Sequence, residues 1–226
     1  MGQQVVRLWH KDHDLQGAEF IVLPGGFSFG DYLRSGAIAR FSPIMQEVIQ
    51  FAAKGGYVLG ICNGFQILTE AGLLQGALLH NENRKFICRN IYMKAQTANS
   101  LITAQIDPQR ALKIPIAHGE GKYYAPPATL ATLKSENGIA LSYVEGETAG
   151  HFNQPANPNG SLENIAGITG YHGRVLGLMP HPERAVRFSA LPHWTYLREE
   201  YMRDGAPIPT HGPGLQIFRN AVRYFV

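Results

Sequence analysis

Gly60 and Gly64 fix what the middle of this chain can become, standing two residues before and two after Cys62 in Gly60-Ile61-Cys62-Asn63-Gly64-Phe65-Gln66. The apolar run Tyr57-Val58-Leu59 precedes this stretch, and the helix-like Ile67-Leu68-Thr69-Glu70-Ala71 follows it. A strand that reverses sharply into a helix needs small residues at those two positions, because larger side chains collide as the backbone turns. The pattern is that of a nucleophile elbow with cysteine at its apex. Such a turn lifts Cys62 beyond the strand and aims its sulfur at the first free amides of the helix, so a thiol biased toward thiolate is expected.

The elements around the elbow set the fold class. Val5 to Trp9 and Phe20 to Leu23 are short apolar runs that read as strands, the second ending in Pro24-Gly25-Gly26. Ser42 offers an N-cap and Pro43 a first helical residue, after which Ile44, Val48, Phe51 and Ala52 recur at helical spacing until Gly55-Gly56. Strands alternating with helices predict an α/β fold, a doubly wound, mostly parallel sheet flanked by helices, whose ligands bind beyond the carboxyl ends of the strands. Further strands are expected from Phe86 to Met93, Leu101 to Ile106 and Ile139 to Val144, an added β region. Thr148 to Ser161 reads as a loop, Ile165 to Ile168 with Val175 to Met179 as a hairpin, and Leu215, Phe218, Val222 and Phe225 as one face of a closing helix. Residues 1–226 suffice for one well-buried domain.

A thiol nucleophile needs a base, and the base needs an orienting partner. His181 and Glu183 fit, because residues i and i+2 of an extended segment share a face and Pro182 restricts His181 to extended geometry. Composition excludes other classes. Charged residues are 16% of the chain and its net charge is +3, with no run of Lys and Arg, so neither nucleic acid nor a membrane is an expected partner. No apolar stretch is long enough to span a bilayer and Met1-Gly2-Gln3-Gln4 has no signal-peptide character, so a cytoplasmic protein is expected. Cys62 and Cys88 are too few for a disulfide scaffold, and Cys88, within Phe86-Ile87-Cys88, is read as inert packing. His10 and His13 lack a third ligand, so no metal site is expected. His151, His172, His193 and His211 lie in polar or Pro-rich segments and read as solvated.

Residues 60 to 66 and the later His181-Pro182-Glu183 resemble the nucleophile and His-Pro-Glu motifs of class I glutamine amidotransferases, which are flavodoxin-like. Leu23 to Tyr32, Ile116 to Gly121, Asn157 to Ser161 and Met179 to Arg184 are similar to the glutaminase subunits of phosphoribosylformylglycinamidine synthases, so the resemblance covers nearly the whole chain. It implies hydrolysis of glutamine by a Cys62-His181-Glu183 triad. The ammonia would pass to a synthetase subunit, alongside a small bridging subunit, in de novo purine synthesis. No cofactor is implied in this chain; ATP and magnesium would sit on the synthetase. The resemblance further implies that the Asn63 amide and one from Gly26 or Phe27, on the Gly25-Gly26 turn, form the oxyanion hole. Gln66 and Asn83 would line the glutamine pocket, with His118 nearby. Two other readings stay open: the glutaminase of another ligase, and a non-catalytic interaction subunit.

Family members begin with a strand, a loop and a helix ahead of the segment that starts here at Gln3, and that strand normally lies between the next two. Without it, Val5 to Trp9 and Phe20 to Leu23 are expected to be separated, with unpaired edges. Pro192 to Gly214 is longer than the usual connection to the last helix and carries no assigned role.

Overall fold

The computed structural model describes residues 2–146 and 155–225. His151 and half of the expected loop from Thr148 to Ser161 lie outside them. In chain order the elements are β1 (Phe20–Leu23), α1 (Pro43–Ala53), β2 (Tyr57–Ile61), α2 (Asn63–Glu70), β3 (Ala77–Leu79), β4 (Ile87–Ala95), β5 (Leu112–His118), β6 (Lys122–Tyr124), α3 (Pro127–Ser135), β7 (Ile139–Val144), β8 (Ile165–Gly170), β9 (Val175–Leu178), α4 (Trp194–Arg203) and α5 (Leu215–Tyr224).

Seven strands form one sheet in the order β1-β2-β9-β8-β7-β4-β5, and β3 pairs with β6 in a separate ribbon. The expected α/β architecture is present. Its parallel part is β1-β2-β9, around the elbow. The added β region joins the same sheet through antiparallel pairings of β9 with β8, β8 with β7, β7 with β4 and β4 with β5. The sheet as a whole is therefore mixed: β8 turns into β9 through a short hairpin, and longer connections set β4, β5 and β7 antiparallel to their neighbours.

Glycines let α2 lie close against the parallel part. Gly60 and Gly177 are register partners on β2 and β9. A Cβ on Gly177 would stand 2.1 Å from Phe65 Cδ2, and one on Gly60 2.6 Å from Leu68 Cδ1. Phe65 and Leu68, both fully buried, fill that space and join Leu59, Ile114, Leu141 and Leu176 in the core. The same helix abuts the end of β1, since a Cβ on Gly64 would lie 2.0 Å from the Leu23 carbonyl oxygen.

Several local expectations change. Val5 to Trp9 forms no strand among the described residues, because no neighbouring backbone offers it a ladder of hydrogen bonds. Leu101 to Ile106 is a succession of turns. Its buried apolar residues, Ile102 and Ile106, are four apart, a helical rather than a strand spacing, and the Ile102 carbonyl accepts from Asn220 Nδ2 of α5 at 2.7 Å. Ser42 precedes α1 as expected but does not cap it: its hydroxyl donates back to the Ala39 carbonyl at 2.8 Å. Cys88 is exposed, because Ile91, Met93 and Ala95 claim the inward face of β4 and the alternation turns Cys88 outward. The long segment before α5 contains α4, none of whose side chains is fully buried.

Candidate active site

Cys62 sits between β2 and α2 with φ 51° and ψ −104°, a backbone region that costs a non-glycine residue on the order of 1–3 kcal/mol. The surroundings hold it there. Its amide donates to the Leu178 carbonyl at 2.7 Å, tying the apex of the elbow to the end of β9. That strand leads directly into His181, whose own amide donates to the Pro115 carbonyl of β5 at 2.8 Å. The imidazole Nδ1 lies 2.6 Å from Glu183 Oε1, and since a carboxylate only accepts, Nδ1 carries the proton and Nε2 the lone pair. Glu183 stands in a short 3-10 turn, Pro182–Ala185, rather than in an extended segment. The pair survives because Pro182 still holds His181 outside the turn, at φ −106° and ψ 84°.

Gly25 packs against both nucleophile and base. A Cβ there would be 2.6 Å from His181 Cε1 and 3.6 Å from Cys62 Cβ, so glycine is what lets the β1 loop reach both. The loop is fastened to the elbow by Ser28, whose amide donates to Asn63 Oδ1 at 3.1 Å. Asn63 Nδ2 in turn donates to Asp31 Oδ1 and Gln66 Oε1. Phe27 is 65% exposed and stacks on Phe86.

The electrostatics overturn one expectation. Burial pushes the Cys62 thiol up to about 12, against the lowering pull of the Asn63 amide, and the charges of Glu183 and Asp31 push the same way. Desolvation thus outweighs the helix amides, and the resting group is a neutral thiol. It lies 3.7 Å from the Ala117 carbonyl of β5, to which it donates, while His181 Nε2 has no partner among the described residues.

These features match known proteins. A model of the CobB/CobQ-like glutamine amidotransferase domain covers residues 3–225. The chain belongs to this family. It is 56% identical over 184 residues to the phosphoribosylformylglycinamidine synthase subunit PurQ of Chlorobium luteolum, covering 81% of this chain and 79% of the relative. The PurQ of Nostoc sp. is 52% identical over 185 residues, 82% of this chain and 78% of that one. Among solved structures, PurLQS from Thermotoga maritima contains a chain matching at a TM-score of 0.73 and 36% identity, over 95% of this chain and 84% of that one. Within the amidotransferases the chain therefore belongs with the PurQ subunits.

Of the other residues that the resemblance to this family suggested, Gln66 and His118 are buried beside the elbow and Asn83 is not. Gln66 Nε2 donates to the Glu120 carbonyl at 2.6 Å, joining the elbow helix to the turn after β5. Asn83 is exposed, its Oδ1 accepting from the Lys85 amide in a local turn. The buried residue is Asn81, two positions earlier. Glu120 and Asp31 also lie beside the elbow helix. Glu120 Oε2 accepts from the Ser35 amide at 3.1 Å, and its Oε1 faces His80 at 3.5 Å. A cleft of about 390 Å³ has Glu120, Asn81, Arg34 and Lys122 among its walls, but neither Cys62 nor His181. It borders the site without containing it. Among the described residues no group of three or more His, Cys, Asp or Glu could hold a metal ion, and no helix is long and apolar enough to cross a membrane.

Proposed function

We propose that this chain is the glutaminase subunit of a phosphoribosylformylglycinamidine synthase, acting as a single amidotransferase domain over residues 1–226. The observation that carries the reading is the strained Cys62 elbow and a His181 already oriented by Glu183, both packed against Gly25. His181 Nε2 takes the thiol proton as sulfur attacks the side-chain carboxamide carbon of glutamine, and the carbonyl electrons move to oxygen. The Asn63 amide and one from Gly26 or Phe27 stabilise that oxyanion. Collapse of the intermediate breaks the carbon–nitrogen bond, His181 returns the proton to nitrogen, and ammonia leaves a thioester on Cys62. Water, activated by the same imidazole, then releases glutamate. The high thiol pKa suits a site that transfers its proton only when substrate is in place, since free thiolate never accumulates.

Ammonia is the nucleophile for a second reaction, on a PurL-type synthetase with a PurS-type bridging subunit, where ATP and magnesium bind. In bulk water it would become ammonium and lose its lone pair, which favours transfer within a complex. A cytoplasmic location follows from such a pathway. In the reconstituted complex, Cys62→Ala lowers glutamine-dependent synthesis about 10⁴-fold or more and leaves ammonia-dependent synthesis intact. Persistence of the glutamine-dependent rate would refute the assignment.

A further inference from the structure

The turn that follows β5 is held in an unusual way. The carbonyls of His118, Gly119, Glu120 and Gly121 each accept a hydrogen bond, from Asn81 Nδ2, the Asn81 amide, Gln66 Nε2 and Asn159 Nδ2 respectively. Asn81 is the centre of this arrangement and is 1% exposed. Its Nδ2 donates to the carbonyls of His118 and Lys85, both at 2.8 Å. Its Oδ1 accepts from the Gly121 amide at 3.1 Å and lies 3.0 Å from His118 Nδ1. The orientation of the amide is over-determined. A flipped side chain would set oxygen against two carbonyls and nitrogen against an N–H that can only donate.

The tautomer of His118 follows. Because Asn81 Oδ1 has only lone pairs to offer, His118 Nδ1 must carry the proton and Nε2 must be bare. That Nε2 is fully buried and has no partner among the described residues. An unsatisfied buried acceptor is costly, so a native site that keeps one calls for a donor. His181 Nε2 is a second such lone pair. Burial disfavours charge on His118, and the two imidazoles are near enough that positive charge on His181 adds to this, lowering His118 to about 4. His118 Nε2 thus meets the substrate as an acceptor. The reacting carboxamide nitrogen carries two N–H bonds and, once released, three.

We propose that Asn81 is a positioning residue that fixes His118 as the Nδ1–H tautomer, so that His118 Nε2 accepts a hydrogen bond from the nitrogen of the glutamine side chain as it departs. The proposal rests on the glutaminase reading of Cys62 and His181. No bond is made or broken at His118. It holds the leaving nitrogen without returning a proton to it, so the product stays ammonia. The groups that bear on the ring are His181, with Glu183 behind it, and Asn81.

The decisive substitution is Asn81→Asp, tested in the assembled complex. A carboxylate beside His118 Nδ1 favours imidazolium and removes the bare Nε2. Glutamine-dependent kcat should fall on the order of tenfold or more, the scale of an orienting hydrogen bond to histidine. Its acid limb should move to higher pH, with ammonia-dependent synthesis unchanged. A pH profile and kcat that superimpose on the wild type would overturn the proposal. Loss of glutamine-dependent activity from the wild-type complex itself would instead overturn the glutaminase reading. The wild-type chain gives a second test that needs no folded variant. With ¹⁵N-labelled histidine, the His118 ring should give the Nδ1–H neutral pattern from pH 6 to 8; an Nε2–H or imidazolium pattern there would overturn it.

Discussion

The two halves of the central sheet make different contributions to one site. The parallel half, β1, β2 and β9, delivers the reacting groups: its strands all end on the same side, so Gly25, Cys62 and His181 converge from loops far apart in sequence. The antiparallel half delivers acceptors and orientation. Through β5 it offers the Pro115 carbonyl to His181, the Ala117 carbonyl to the Cys62 thiol, and the His118–Gly121 turn to Gln66. The comparison teaches that geometry around the nucleophile is set by glycines that admit close contact, whereas the shifts of Cys62 and His118 come first from burial, which the strands of the other half help to supply.

The largest expected effect that separates the halves is Gly25→Ala. The new Cβ, 2.6 Å from His181 Cε1, displaces the base. Glutamine turnover should drop ~100-fold, the scale of a 1 Å misplacement, while ammonia-dependent synthesis by the complex is retained; an unchanged glutamine rate would show that Gly25 does not set the base position. Next comes the acid limb of stability, which belongs to the antiparallel half. His118 is lowered to about 4 when folded, so between that pH and an unfolded value of about 6.5 the unfolded chain binds the extra proton. Stability from this group is therefore full above about pH 6.5 and falls as pH drops toward 4, by ~3 kcal/mol in all. Denaturant midpoints across that range should show the slope, and His118→Gln should flatten it. The smallest effect is Gly177→Ala in the parallel half, where the added methyl meets Phe65 at 2.1 Å. It should lower unfolding free energy by about 1–3 kcal/mol with no change in the acid slope; a steeper slope would mean that the halves are coupled.

Legibility in the sequence followed the range of the interaction. The elbow, the β1 loop and the His181–Glu183 pair were readable because each depends on residues within a few positions of one another. Glycine spacing and proline placement act locally and leave a mark in the sequence. Asn81 left no such mark: Asn83 is the same residue type two positions away, and only the ladder pairing of Ile87 with His118 decides which one lies under the turn. Val5 to Trp9 failed for a related reason. Its apolar pattern was adequate for a strand, but a strand is a relation between two backbones. The thiolate expectation failed because the helix amides were legible while the burial of Cys62, supplied by β5 and β9, was not.

The chain by itself determined that a cysteine would stand at a sharp strand-to-helix turn, with a histidine and a glutamate spaced to serve it, since steric limits on backbone reversal act between neighbours. Only the tertiary structure decided the state of those groups. Whether a thiol is ionised or an imidazole keeps a bare nitrogen depends on burial and on partners from distant strands, and here β5 brings those partners to Cys62 and His118.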